Sequence, residues 1–227
     1  MEKISSGDYF IITVCTHDNR ANCKGLENMF LVAMELAARG FKRRMYLNVS
    51  RGSGLANTRT AAVRHLKELF LEDMVWTFWL DSDICVYEKP ETIADYVMEA
   101  ERSGMSFAGA TRTLMAGAER SFMHNAFERL EDGTVRPYPD EVLVHAKPFE
   151  LKLASSGFAL AYLNTPVDYV FHTEGFVMED ENFYRDNPDI DLRFCPIDNA
   201  HEKEISLDWS RDAILKRYPL TGRDGTP

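Results

Sequence analysis

Residues 75–86 read VWTFWLDSDICV. The stretch from Val75 to Leu80 is almost wholly apolar, the pattern of a strand buried in a parallel sheet. It stops at two aspartates one residue apart, Asp81 and Asp83. Like charges at that spacing repel, so a bound cation, a set of backbone donors or plain solvent must offset the cost. Upstream, residues 9–14 (YFIITV) give a second buried-strand pattern, which ends in the polar turn Thr16, His17, Asp18, Asn19. Leu26, Met29, Phe30, Ala33, Met34 and Ala37 then recur at helical spacing, and Gly40 stops that helix. Residues 45–49 predict a short strand, Arg51-Gly52-Ser53-Gly54 a turn, and Asn57 the start of a helix with Val63, Leu66 and Phe70 inward. Downstream, Pro90 opens a helix that runs to Gly104, and residues 107–110 predict a fourth strand. Alternating strands and helices predict an α/β chain with a parallel sheet. Ligands in such sheets lie at the carboxyl ends of the strands, where residues 16–19, 51–59 and 81–83 all fall.

Beyond residue 111 the pattern loosens. Residues 112–150 are rich in charge and turn signals (Glu131-Asp132-Gly133, Pro137, Pro139). They predict a hairpin with Val135 and residues 142–144 as edge strands, or a flexible loop. Residues 154–163 (ASSGFALAYL) are apolar with a glycine at the bend. Residues 176–185 predict a turn entering a helix, and residues 194–197 a last strand. The tail after His201 is polar and is expected to wrap the surface. There is no repeat, low-complexity tract or linker, so one domain over residues 1–227 is expected.

Hydrophobic residues make up 45 % of the chain, enough for a full core. The net charge of −10 argues against a uniformly basic nucleic-acid-binding surface, and an anionic ligand would need a local cation, helix N-termini or placed arginines. The four cysteines, Cys15, Cys23, Cys85 and Cys195, include no CxxC pair, which argues against zinc; three lie in or beside apolar stretches, as buried thiols in a reducing cytoplasm would. MEKISSGDYF lacks the apolar core of a signal peptide, and no stretch reaches the ~18 apolar residues of a spanning helix. A soluble, cytoplasmic protein without an integral membrane segment is expected.

At a strand end that turns, one aspartate of a D-x-D pair can aim at a metal while the other orients ligand or water. Mg²⁺ and Mn²⁺ take oxygen ligands and bridge carboxylates to phosphates. A cation there would relieve the repulsion and stabilise a departing diphosphate; a solvated loop is the plain alternative. Read in order, "VCTHDN", "ANTRTAAV", "WLDSDICV", "LASSGFALAYLN", "VMEDENFYRD" and "IDNAHEK" resemble the ordered motifs of GT-A fold, nucleotide-sugar-dependent glycosyltransferases. The resemblance runs from about Tyr9 to His201. It implies a GT-A (Rossmann-like), mostly parallel central sheet flanked by helices. About 1–110 would form a nucleotide-binding half, about 111–205 an acceptor-side half, and 206–227 a C-terminal tail.

The resemblance also implies roles. Asp83 and His201 match metal ligands, for Mn²⁺ or Mg²⁺, and a neutral imidazole suits Mn²⁺ better. Asp81 matches the group nearer the ribose or sugar. Asp180 matches the general base that takes the acceptor's proton; three adjacent acids, Glu179 to Glu181, can raise one pKa, and a helix N-terminus also attracts acids. Arg59 matches a diphosphate contact, with a solvated first-turn arginine as the alternative. Thr16, His17, Asn57, Ser156 and Gly157 complete the donor set, and Arg112 is a weaker member. Gly157 lets the chain approach the sugar or simply bends a strand. Trp76, Phe78 and Trp79 are read as core.

The expected activity is transfer of a sugar from a nucleoside diphosphate sugar, a UDP-sugar foremost, to an acceptor hydroxyl. Glycans, small molecules, proteins and hydroxymethylated DNA bases of the phage type all stay within the acceptor range. Arg112, Arg120, Arg129, Arg136 and Lys147 concentrate basic charge in the irregular middle, where DNA phosphates could be tracked. Two alternatives stand beside this reading. A metal-dependent nucleotidyltransferase would carry a glycine-rich basic loop where this chain has Thr16 to Asn19. A non-catalytic nucleotide- or sugar-binding domain would bind without turnover.

Overall fold

The computed structural model describes residues 3–16, 21–41, 43–52, 54–115, 121–175 and 177–201. After a 3₁₀ turn at Ser6–Asp8, the α-helices and strands of the described residues are β1 (Tyr9–Thr16), α1 (Cys23–Ala38), β2 (Arg44–Arg51), α2 (Leu55–Leu69), β3 (Met74–Asp81), β4 (Ile84–Val86), α3 (Pro90–Ser103), β5 (Ser106–Ala108), β6 (Arg112–Met115), β7 (Ser121–His124), β8 (Ala126–Arg129), β9 (Val135–Pro137), α4 (Asp140–His145), β10 (Ser155–Ser156), β11 (Leu160–Pro166), α5 (Glu179–Asp186), β12 (Leu192–Phe194) and β13 (Asn199–His201). The central sheet has six strands in the order β12-β5-β11-β3-β1-β2. All its pairings are parallel except those of β11, which runs against both β3 and β5. The expected α/β fold with a mostly parallel sheet is therefore present. The reversed strand brings the segment before it, with Gly157, to the carboxyl ends of β1, β3 and β5.

Alternation along the strands divides the core. Phe10, Ile12, Val14, Phe78 and Leu80 join Met29, Val32 and Leu36 of α1 and Ile93, Val97 and Ala100 of α3 on one face. Cys15 and Trp79 point the other way, toward Ala62 and Val63 of α2 and Phe183 and Tyr184 of α5. Phe78 and Trp79 are buried, and Trp76 stacks on Tyr162, so the aromatic run is core as expected. A polar row crosses the sheet beneath the site: Asn48 Nδ2 donates to Thr13 Oγ1 at 3.3 Å, and Thr13 Oγ1 pairs with Thr77 Oγ1 at 2.8 Å.

The helices carry the expected signals. Pro90 sits at the start of α3, and Gly104 ends it with φ 76°, a left-handed turn that glycine takes without strain. Asn22 caps α1 by accepting from the N–H groups of Lys24 and Gly25. One expectation fails. Residues 142–144 lie in α4 rather than in an edge strand, because Pro139, Asp140 and Glu141 make a helix start that outweighs β-branched propensity. Val135 is a strand residue as expected, paired with β8. The strand expected at 194–197 lies at Leu192–Phe194, with β13 after it. Cys15, Cys85 and Cys195 are buried, Cys23 is exposed, and none of the four is in a disulfide. No described helix is long and apolar enough to cross a membrane.

Candidate functional site

The D-x-D turn is held by main chain on three sides. Asp81 N–H donates to Ala159 O at 3.0 Å, Ser82 N–H to Cys15 O at 3.2 Å, and Asn22 N–H to Ser82 O at 2.6 Å. Gly25 packs on the next residue: a Cβ there would lie 2.3 Å from Ile84 O, so only glycine lets α1 approach the turn.

Arg59, in the second turn of α2, is 2 % exposed. Its Nη1 donates to the Glu179 carboxylate, and its Nη2 lies 3.4 Å from both oxygens of Asp81. The guanidinium stands 4.8 Å over the Phe158 ring, and Nε has no partner among the described residues. Burial works against the charge, but attraction from Asp81 and Glu179 outweighs it and raises the Arg59 pKa. Two acids from different elements thus share one buried cation. The solvated reading of Arg59 is overturned.

Asp180 follows Glu179 in the first turn of α5 but has no cation of its own among the described residues. Burial, chiefly, pushes its pKa up from 3.8 to about 6; Glu179 adds to the rise, while Arg59 and local N–H groups oppose it. Its Oδ1 accepts from Glu181 N–H at 2.9 Å, and no described residue bonds Oδ2. One turn on, the Tyr184 hydroxyl is buried without a partner among the described residues. Burial, with Asp180 and against Arg59, pushes its pKa far up.

Asp180 opens on a cavity of about 370 Å³ whose lining includes Leu55, Arg59, Asp81, Thr111, His124, Asn125, Phe127, Gly157, Ala159 and Met178. Asn125 Oδ1 accepts from Thr111 N–H at 2.8 Å. A Cβ on Gly157 would lie 2.6 Å from Asn125 Nδ2, so this glycine makes room for an asparagine of its own chain. His124 accepts from Ala126 N–H at Nδ1 (3.2 Å), leaving Nε2–H to donate to Tyr138 O at 2.8 Å. The ring is held at both nitrogens, with Asp140 Oδ1 3.5 Å from Nε2.

Of the residues expected here, Asp81, Asp180, Gly157 and Arg59 meet at this cavity. Thr16 is buried at the end of β1, and Ser156 is buried with Oγ 3.4 Å from Gly157 O. Asn57 is exposed and does not line the cavity. Asp83 lies in the turn, and β13 pairs with β4 so that His201 stands opposite Ile84, the residue after Asp83. The His201 and Arg112 side chains, His17, Arg120 and the 206–227 tail lie outside the described residues. Among the described residues, no three His, Cys, Asp or Glu side chains cluster as a metal site. In the basic middle, Arg136 is paired with Glu128 at 2.8 Å. Glu179, Thr111, Asn125 and His124 were not singled out in the sequence. Glu179 alone left a trace, as the first acid of a three-acid helix start. No protein-family model and no curated protein matches the chain.

Proposed function

We propose that the chain is a metal-dependent glycosyltransferase of GT-A fold that moves a sugar from a nucleoside diphosphate sugar to a hydroxyl. The observation that carries this reading is Asp180: a carboxyl with one unbonded oxygen and a pKa near 6, facing a cavity at the carboxyl ends of the sheet strands. Asp180 takes the acceptor's proton as its oxygen attacks the anomeric carbon. The bond from that carbon to the diphosphate breaks, and its electron pair leaves with the diphosphate. Inversion follows from that geometry of roles.

The divalent cation rests on the resemblance, which gives Asp83 and His201 to the ion. Asp81 is engaged by Arg59, Asp83 is the second carboxylate of the same turn, and the β13–β4 register sets the His201 backbone opposite Ile84, the residue after Asp83. Carboxylate plus imidazole is a donor set for Mn²⁺, with Mg²⁺ second. When bound, such an ion supplies positive charge to a departing diphosphate. Arg59 keeps Asp81 and Glu179 in place.

A panel of nucleotide sugars, scored by thermal stabilisation with and without Mn²⁺, tests the reading. A ligand at a hundred times its Kd adds ~2.7 kcal/mol. Asp83→Ala should lose the Mn²⁺-dependent part and keep the fold. Release of pyrophosphate instead of a nucleoside diphosphate would identify a nucleotidyltransferase, and binding without turnover a non-catalytic domain.

A further inference from the structure

The wall facing Asp180 is built for a specific partner group. Thr111 is 4 % exposed, lines the cavity, and its Oγ1 has no hydrogen-bond partner among the described residues. A buried hydroxyl left unmet costs about 1–3 kcal/mol, so a ligand atom that reaches it is favoured. Asn125 is oriented by the same residue: because Thr111 N–H holds Oδ1, the amide presents Nδ2, a donor, beside Gly157. The position of a Cβ on Gly157 lies 2.6 Å from Asn125 Nδ2 and 3.6 Å from Asp180 Oδ2, so donor and acceptor stand no more than about 6 Å apart. Neither atom has another hydrogen bond among the described residues. One oxygen at ordinary distances of about 3 Å from each spans such a gap.

We propose that Asn125, supported by Thr111, seats the acceptor hydroxyl. The alcohol oxygen accepts from Asn125 Nδ2 and donates its proton to Asp180 Oδ2. This assignment rests on the reading of Asp180 as the base and adds the group that aims the proton at it. A hydroxyl suits this seat because it both accepts and donates; an ether or a carbonyl cannot satisfy Asp180. Phe127 is on the same lining, an aromatic side chain of the kind that packs on the carbon side of a sugar alcohol. Gly157 is required because any side chain there displaces Asn125.

The test uses glycerol and a set of methyl glycosides as probes, with UDP and Mn²⁺ titrated in parallel. Ligand-observed NMR on the parent, Asn125→Ala, Asn125→Asp and Thr111→Val should show glycoside affinity falling at least fivefold in both Asn125 variants and less in Thr111→Val. Asn125→Asp is the deciding variant. It keeps an oxygen for Thr111 N–H, so a purely structural Asn125 is rescued by aspartate and a hydroxyl-seating one is not. Crystals soaked in glycerol should place a hydroxyl oxygen within hydrogen-bond distance of both Asn125 and Asp180. Unchanged glycoside affinity in Asn125→Asp, or a soak with no hydroxyl between the two side chains, overturns the seat. Weakening of UDP rather than glycoside binding gives the pair to the donor and overturns the acceptor assignment. A parent that seats glycerol but ignores UDP keeps the hydroxyl seat and removes the glycosyltransferase reading instead.

Discussion

The end of β3 and the first turn of α5 each carry neighbouring acids on the same cavity, and the fold treats them in opposite ways. At β3 the main chain is pinned to β1, to the segment before β11 and to the cap of α1, and Asp81 faces Arg59. At α5 Glu179 takes the other side of the same guanidinium, and Asp180, its neighbour, is left with burial and one N–H bond. One arginine shared by two acids sets a third apart. Pairing makes Asp81 and Glu179 structural anchors, while desolvation without pairing gives Asp180 a proton affinity suited to acid–base work.

The contrast can be broken most severely at Asp180. Asp180→Asn should cut transfer by about 10²–10⁴-fold, the typical worth of a general base, in a chain that still folds. Parent activity should rise with pH and level off above about 6, since only the deprotonated carboxyl accepts the proton. Arg59 and Glu179 face this group and set the limb in opposite directions.

Removing a pairing partner comes next. Glu179→Ala leaves Arg59 buried with Asp81 alone and should cost about 3–5 kcal/mol in urea unfolding. The double variant Arg59→Met/Glu179→Met should recover part of that loss, because the half-paired buried arginine is gone while Asp81 loses its partner.

Asp180 should also be measurable as a cost to stability. Its folded pKa, about 6, lies above the ordinary 3.8, so the folded state binds the proton more tightly. Stability from this group is full below 3.8 and is lost as pH rises through about 6. At ~1.36 kcal/mol per pH unit that is about 3 kcal/mol. Asp180→Asn should therefore exceed the parent by about that amount at pH 8 and match it below pH 4, read by unfolding at both. The smallest effect is expected at the pinned turn. Asn22→Ala removes the side-chain cap of α1 and should cost about 1 kcal/mol in unfolding, while the main-chain bond from residue 22 to Ser82 O is kept.

Much of the framework was legible from residues close in sequence. The run at residues 75–80 became β3, the spacing after Asn22 became α1, and Pro90 and Gly104 bounded α3. The error at residues 142–144 arose where two local signals conflicted and the capping acids prevailed. The site was legible only in part. Asp81, Asp180 and Gly157 are seen together at one cavity, but Glu179 as the anchor of Arg59 was not foreseen, since 120 residues separate them. Asn125 and Thr111 sit in a stretch with no periodic pattern, so nothing local marked them.

The sequence by itself determined the alternation of strands and helices and the acids at the strand and helix ends. Those signals are written in spacings of two to four residues, the reach of backbone periodicity and capping. Only the tertiary structure decided which acid receives the buried arginine, which one is desolvated, and which side chain fills the space beside Gly157. Charge pairing and burial depend on what the chain brings together from a distance, and the reversal of β11 is what brings these groups to one place.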